Sequence, residues 1–295
     1  MLQMRCYIGF DLGGSSMKTG IVTENAEVLA HQKYPIPDSF EALLDLLEQL
    51  TRKAMAEYGV LGAAISSAGC IDPEDGTVNG WMAPSLLYLR GRNFYDLRPR
   101  LSIPVRAEKD GVAAALGEYW AGEAKGCENF LTLVLGTGQG GAIFLNGKPY
   151  RGSHFFAGDM GYVSPGVGMP GYSQLTAPVP YEQRYFEETG RKLSCSGMYE
   201  ARESDPAAAR LWEEFIRNLA SFCIQMQFTF DTEKIFIGGG ISGWAPFIPL
   251  LREEIGRQMD ALRMDFNRPD VRACTGGNDA NLLGAVYGLK TEFNI

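Results

Sequence analysis

The sequence predicts an α/β protein of two domains, each built on a mixed sheet. Two glycine-rich turns, Asp11-Leu12-Gly13-Gly14-Ser15-Ser16-Met17-Lys18 and Leu135-Gly136-Thr137-Gly138-Gln139-Gly140-Gly141, each lie between short apolar runs. Strands come first as hairpins and then alternate with helices, and that order runs twice along the chain. The length of 295 residues gives each round enough chain for its own core.

The first round starts with strands expected over residues 6–10, 19–23 and 27–34. A helix follows, with Asp38 and Glu41 as a capping box. Its apolar face is Phe40, Leu43, Leu44, Leu47, Leu50 and Ala54, and Gly59 ends it. A buried strand is expected over 61–66, an irregular stretch over 70–101, a short strand over 105–108 and a helix over 111–121. In the second round, strands flank the turn at 136–141, and a glycine- and proline-rich stretch covers 161–180. A long helix is expected over 207–230, with Leu211, Phe215, Leu219, Phe222 and Met226 as its apolar line. A strand over 234–237 leads through Gly238-Gly239-Gly240-Ile241-Ser242-Gly243 toward a helix. The last helix begins near Asp279, which resembles an N-cap. These elements place the domains at 1–119 and 120–278, with 279–295 packing back on the first.

A strand–glycine turn–strand unit aims backbone N–H groups into a concavity that phosphate can enter. Two such units suggest two jaws around one polyphosphate, and hence a nucleotide-dependent enzyme with a duplicated core. Asp11, at the end of the first strand, is placed to hold Mg²⁺ through water, with Ser15, Ser16 and Lys18 as phosphate donors. The same residues also fit an ordinary hairpin with an Asx turn. Asp110, beside a helix start, fits either a general base or a structural cap. The G-x-G-x-x-G spacings at 136–141 and 238–243 are weak dinucleotide signals, because the first precedes a strand and the second lies late in the chain. No Walker A loop is present.

Composition excludes other classes. A net charge of −8 argues against nucleic-acid binding. No apolar stretch is long enough to span a bilayer, so no membrane partner is expected. The start of the chain lacks a signal-peptide core, and the six scattered cysteines fit reduced thiols in a cytoplasmic protein. With two histidines, a Cys/His zinc cluster has few possible ligands.

The motifs, in order, resemble the ROK family (repressors, open reading frames, kinases) over nearly the whole chain. Ile8-Gly9-Phe10-Asp11-Leu12-Gly13-Gly14-Ser15 is similar to its first phosphate motif, and Glu108-Lys109-Asp110-Gly111-Val112-Ala113-Ala114-Ala115-Leu116-Gly117-Glu118 to its catalytic segment. The residues from Gly136 to Gly141, with Leu145-Asn146-Gly147-Lys148-Pro149-Tyr150-Arg151-Gly152, resemble the second phosphate motif and its trailing strand. Ala157-Gly158-Asp159-Met160-Gly161-Tyr162 lines up with the sugar-binding A-G-E-x-G-H, and Lys234-Ile235-Phe236-Ile237-Gly238-Gly239-Gly240 with the adenosine motif.

The resemblance implies a two-domain actin-like (ribonuclease H-like) ATPase fold with a nucleotide and sugar cleft between domains that close to exclude water. It implies ATP and Mg²⁺ as cofactors, with Asp110 the base that deprotonates a sugar primary 6-hydroxyl. Nucleotide and metal would be held by Asp11, Gly13, Gly14, Ser15, Ser16, Lys18, Gly136, Thr137, Gly138, Gly140, Gly239 and Gly240. The sugar would be read by Ser67, Gly69, Lys109, Asp110, Asp159 and Tyr162. A homodimer is the expected assembly.

Four departures stand out. Lys109 replaces the usual Asn, Asp159 the usual Glu, and Tyr162 the usual His, and Val163-Ser164-Pro165-Gly166 follows where a zinc-binding cysteine segment belongs. No zinc is therefore expected. Tyr in that place resembles the β-glucoside kinases, which implies a sugar larger than glucose, with Tyr172 and Trp81 as possible walls of a second subsite. Because the first strand starts within ten residues, the repressor branch is not expected. A non-catalytic sugar sensor, a glucose or N-acylhexosamine kinase and an NAD-dependent oxidoreductase remain the alternatives.

Overall fold

The computed structural model describes residues 4–80 and 82–295. The chain divides into two compact units. Unit 1 comprises Met1–Lys125, Arg151–Phe156 and Asn278–Ile295, and unit 2 comprises Gly126–Tyr150 and Ala157–Gly277. The first unit runs to Lys125, against an expected boundary at 119/120. The return of Arg151–Phe156 to unit 1 has no signature in the local sequence.

In unit 1, β1 (Cys6–Leu12), β2 (Ser16–Thr23) and β3 (Val28–Pro35) form an antiparallel meander. After α1 (Phe40–Tyr58), the strands β4 (Ala63–Ser67) and β7 (Val105–Lys109) join in parallel, giving the order β3-β2-β1-β4-β7. Between them, β5 (Cys70–Ile71) and β6 (Val78–Asn79) make a small ladder, followed by two 3-10 turns (Pro84–Leu89 and Phe94–Arg100). The helices α2 (Asp110–Ala121) and α8 (Ala280–Phe293) complete the unit.

Period-two alternation sets the layers. Ile8 and Phe10 pack with Leu43, Leu44 and Leu47 of α1, while Tyr7 and Ala64 pack with Leu282, Val286 and Leu289 of α8. Burying each such leucine, valine or phenylalanine contributes about 1.5–3 kcal/mol. The α1 cap is Ser39, whose Oγ accepts the Ala42 N–H at 3.4 Å, and Gly59 closes the helix at φ 64°. The expected Asp38–Glu41 box does not form, because the extended cap conformation falls on Ser39, and the third helical residue is then Ala42, which has no polar side chain to return the bond. On the opposite face, α2 and α8 approach backbone to backbone. A Cβ at Gly284 would lie 1.6 Å from the Ala113 carbonyl oxygen, and one at Gly117 would lie 2.3 Å from that of Ala280.

Unit 2 repeats the sheet. β8 (Phe130–Leu135), β9 (Gln139–Leu145) and β10 (Lys148–Tyr150) form the meander. β11 (Lys234–Gly238) and β12 (Val271–Ala273) join in parallel, giving β10-β9-β8-β11-β12. The helices are α3 (Tyr172–Thr176), α4 (Pro178–Thr189), α5 (Cys195–Ala201), α6 (Pro206–Phe230) and α7 (Phe247–Ala261). Leu131, Leu133 and Leu135 meet Leu211, Phe215, Leu219 and Phe222 of α6 in the core. On the other face, Phe130 stacks on Phe144 at 4.4 Å and meets Phe236 edge-on. Among the described residues no cysteine forms a disulfide, and burial pushes the Cys223 thiol up to about 12. Among the described residues, no helix is long and apolar enough to cross a membrane.

Candidate active site

Strand register assembles the unit 1 site. β1 and β4 place Asp11 opposite Ser66 and Leu12 opposite Ser67, and β4 and β7 place Ser67 opposite Lys109. The carboxyl ends of three adjacent strands thus bring Asp11, Ser67 and Lys109 to one edge, with Asp110 next in the chain. Ligands of α/β sheets bind at such an edge. Asp110 is the first residue of α2 rather than the residue before it, since the N-cap is Lys109. Its Oδ1 accepts the N–H of Gly111 at 2.7 Å, and a helix N-terminus favours a negative group. Lys109 is buried, at 5% exposure, and Ser67 is fully buried. Gly69, at φ 98°, turns the chain away from the end of β4.

Asp11 is held by two neutral donors. Ser66 Oγ donates to its Oδ1 at 3.3 Å and Asn281 Nδ2 at 2.8 Å. Asn281 lies in the first turn of α8, which the glycine contacts with α2 lock in place. In the adjoining hairpin turn, Gly13 N–H donates to the Ser16 carbonyl at 3.1 Å, and Ser85 Oγ donates to the Gly14 carbonyl. Ser15 is exposed, Ser16 half-buried, and Lys18 stands opposite Asp11 across the hairpin.

This donor set fits Mg²⁺. The described residues contain no group of three or more His, Cys, Asp or Glu able to hold a metal by themselves. A single oriented carboxylate matches an ion that keeps its waters and takes its other ligands from phosphate.

The unit 2 site is made of backbone. Gly136 N–H donates to the Gly138 carbonyl at 3.0 Å and tightens the β8–β9 turn. The Gln139 N–H donates to Ser173 Oγ of α3 at 3.1 Å. Gly239 sits at φ 95°, and a Cβ there would lie 1.9 Å from the Leu135 carbonyl oxygen, so the turn after β11 rests on the end of β8. Internal packing requires that glycine. Gly136, Gly140 and Gly240 differ, because a Cβ on any of them would meet no described atom within 4 Å and none has positive φ. Their missing side chains leave room for a ligand to approach the backbone closely. Thr137 beside them is exposed.

The segment carrying Asp159 and Tyr162 is fused to the same hairpin. A Cβ at Gly158 would lie 2.8 Å from the Gly141 carbonyl oxygen, and one at Gly161 would lie 2.4 Å from that of Gln139. Asp159 precedes a short 3-10 turn (Met160–Tyr162) and is half-buried, while Tyr162 is 65% exposed. Tyr172 is buried in the core with its hydroxyl on Gln225, so it is not a surface wall. Trp81 lies outside the described residues.

Neither glycine spacing builds a dinucleotide site. Residues 136–141 join two antiparallel strands, and 238–243 pass into a 3-10 turn rather than opening a long helix. Sequence reasoning missed Asn281 and Ser85 as partners of the first hairpin. Asn281 lies 270 positions from Asp11, and no local signal connects them.

A sheet of one strand order built twice, with a glycine hairpin at the same place in each copy, is the framework of an actin-like ATPase. The ROK family profile matches residues 7–292, and the chain belongs to that family. It is 31% identical over 302 residues to a β-glucoside kinase of Listeria innocua serovar 6a, covering 97% of each chain. A ROK family protein from Streptococcus pneumoniae TIGR4, solved in complex with sucrose, superposes with a TM-score of 0.89 at 28% identity, covering 98% of this chain and 99% of that one. A ROK glucokinase from Streptomyces griseus, solved with glucose and AMPPNP, superposes with a TM-score of 0.76 at 26% identity, covering 97% and 99%.

Proposed function

We propose that the chain is an ATP-dependent sugar kinase acting on a primary hydroxyl, with Asp110 as the base. The observation that carries this is the strand-end alignment of Asp11, Ser67 and Lys109 with Asp110 at a helix start, in a chain related end to end to sugar kinases. Phosphoryl transfer needs mainly positioning and charge neutralisation. Asp110 accepts the proton of the attacking sugar hydroxyl as that oxygen bonds to the γ-phosphorus of ATP, and ADP leaves. Asp11, fixed by Ser66 and Asn281, would hold Mg²⁺, which would supply charge neutralisation at the phosphates. Gly13, Gly14, Ser15, Ser16 and Lys18 of unit 1, and Gly136, Thr137, Gly138, Gly140, Gly239 and Gly240 of unit 2, bind the nucleotide.

The sugar contacts fall to Ser67, Gly69, Lys109, Asp159 and Tyr162. A β-glucoside is the acceptor we favour. Asp159 is one methylene shorter than Glu, and the exposed Tyr162 ring offers a face for a second sugar. The Listeria relative is named for that substrate class. A coupled ADP-release assay with Mg·ATP across glucose, N-acetylated hexosamines, cellobiose and other β-glucosides tests the assignment. Sugar-dependent ADP release, fastest with β-glucosides, is expected. Release with no sugar would defeat the kinase, and a preference for glucose would defeat only the β-glucoside.

A further inference from the structure

Glu108 is a carboxylate next to the carboxyl end of a fully buried strand, at 1% exposure. A β-branched apolar residue would serve that strand better, and a buried charge is tolerated only when paired and hydrogen-bonded. Glu108 is paired twice. Its Oε2 accepts from Arg106 Nη2 at 3.0 Å and from Arg151 Nη2 at 2.5 Å. Its Oε1 accepts the backbone N–H of Lys109 at 3.1 Å, with Arg151 Nε at 3.5 Å from the same oxygen. Arg106 is shared with Glu292 of α8. Arg151 opens the short segment Arg151–Phe156, which belongs to unit 1 although the chain on either side belongs to unit 2.

The two arginines have different jobs. Arg106 bridges two carboxylates and ties β7 to α8, a structural role. Arg151 pairs with Glu108, and its guanidinium spans both carboxylate oxygens. Those contacts fix the carboxylate plane so that Oε1 meets the Lys109 N–H, in the residue directly before Asp110. We propose that Arg151 is a positioning residue for Asp110, acting through Glu108 and the Lys109 peptide. Without Arg151, Glu108 keeps Arg106 as its counter-ion, so the fold stays intact. The carboxylate turns toward Arg106 and releases the peptide that sets the start of α2. Misplacing a catalytic group by a fraction of an ångström slows chemistry while leaving nucleotide binding alone.

This inference rests on Asp110 being the base, and a double-mutant cycle separates the two claims. Arg151→Met, Asp110→Asn and the double variant are assayed with Mg·ATP and cellobiose, or glucose if cellobiose is not phosphorylated. Melting temperatures are measured alongside. Arg151→Met is expected to lower kcat about tenfold, with the ATP KM within about twofold. In the Asp110→Asn background the same substitution should cost less than about twofold, because the group it positions is gone. An Arg151→Met kcat within twofold of the parent, or losses that multiply in the double variant, overturns the proposal while leaving Asp110 as base. Near-parental turnover in Asp110→Asn overturns the base, and the positioning role falls with it. If Arg151→Met does not fold, Arg151→Lys carries the same cycle. It keeps a cation beside Glu108 but loses the two-point fit, and its smaller kcat loss must likewise vanish without Asp110.

Discussion

The two sheets share one strand order and place their chemistry differently. In unit 1 the strand ends carry Asp11, Ser66, Ser67, Lys109 and Asp110, braced by Asn281 and the Glu108–Arg151 pair. In unit 2 the equivalent ends carry Leu135, the glycines at 136, 138 and 140, Gly238 and Gly239, with open backbone in place of charges. On the proposed function, a duplicated scaffold is split in use. One copy would hold the groups that move protons and attract cations. The other presents backbone that a polyphosphate can approach closely. Substitutions at Asp11 and Asp110 of unit 1 should therefore mainly change kcat and the metal requirement, and those in the glycine turns of unit 2 should mainly change nucleotide affinity.

The largest effect should come from Asp110→Asn. Losing a general base lowers kcat by ~10²- to 10⁴-fold, with the sugar KM changing much less. Steady-state kinetics check it, and near-normal turnover would remove the main charged group from the unit 1 account. Next is Gly239→Ala. Its φ of 95° and the 1.9 Å approach of a Cβ to the Leu135 carbonyl oxygen make the substitution strained. At ~1–3 kcal/mol of strain, the ATP KM should rise about tenfold and the protein should melt earlier. An unchanged ATP KM would mean that this turn does not serve the nucleotide.

Asn281→Ala should act on the metal. Removing a donor that orients a metal-binding carboxylate costs about tenfold in cation affinity. Titrating Mg²⁺ into the ATP-bound protein by calorimetry and by activity reads this directly, and an unshifted midpoint would show that Asp11 does not need its brace. The smallest effect concerns zinc. Protein prepared without chelator is expected to hold less than stoichiometric zinc by elemental analysis, because Tyr162 and the cysteine-free loop after it lack thiolate and imidazole donors. One zinc per chain would refute that.

Local signals carried far in the sequence. The hairpins, α1, α6 and α8 follow from hydrophobic period and cap residues, and the observed bounds of α6 differ from the expected ones by one residue. Order and spacing of the glycine turns carried the family. The helix α4 was hidden because Pro178 and Pro180 look like breakers, although proline in a first helical turn costs no hydrogen bond. The supporting partners stayed hidden for a different reason. Asn281 reaches Asp11, and Arg151 reaches Glu108, only after the chain has folded back from another part of the sequence. No periodicity or motif encodes such a meeting. Lys109 was visible as a departure from the family, but its burial became apparent only in the fold.

The division of labour is tested most directly by calorimetric ATP affinity and kcat measured side by side for Asp110→Asn and Gly136→Ala. Gly136 has no positive φ, and a Cβ there meets no described atom, so alanine should fold normally. Asp110→Asn should keep ATP affinity within about twofold and lose most of kcat. Gly136→Ala should do the reverse, weakening ATP about fivefold or more with kcat at saturation nearly intact. Equal loss of affinity and turnover in both variants would contradict the account.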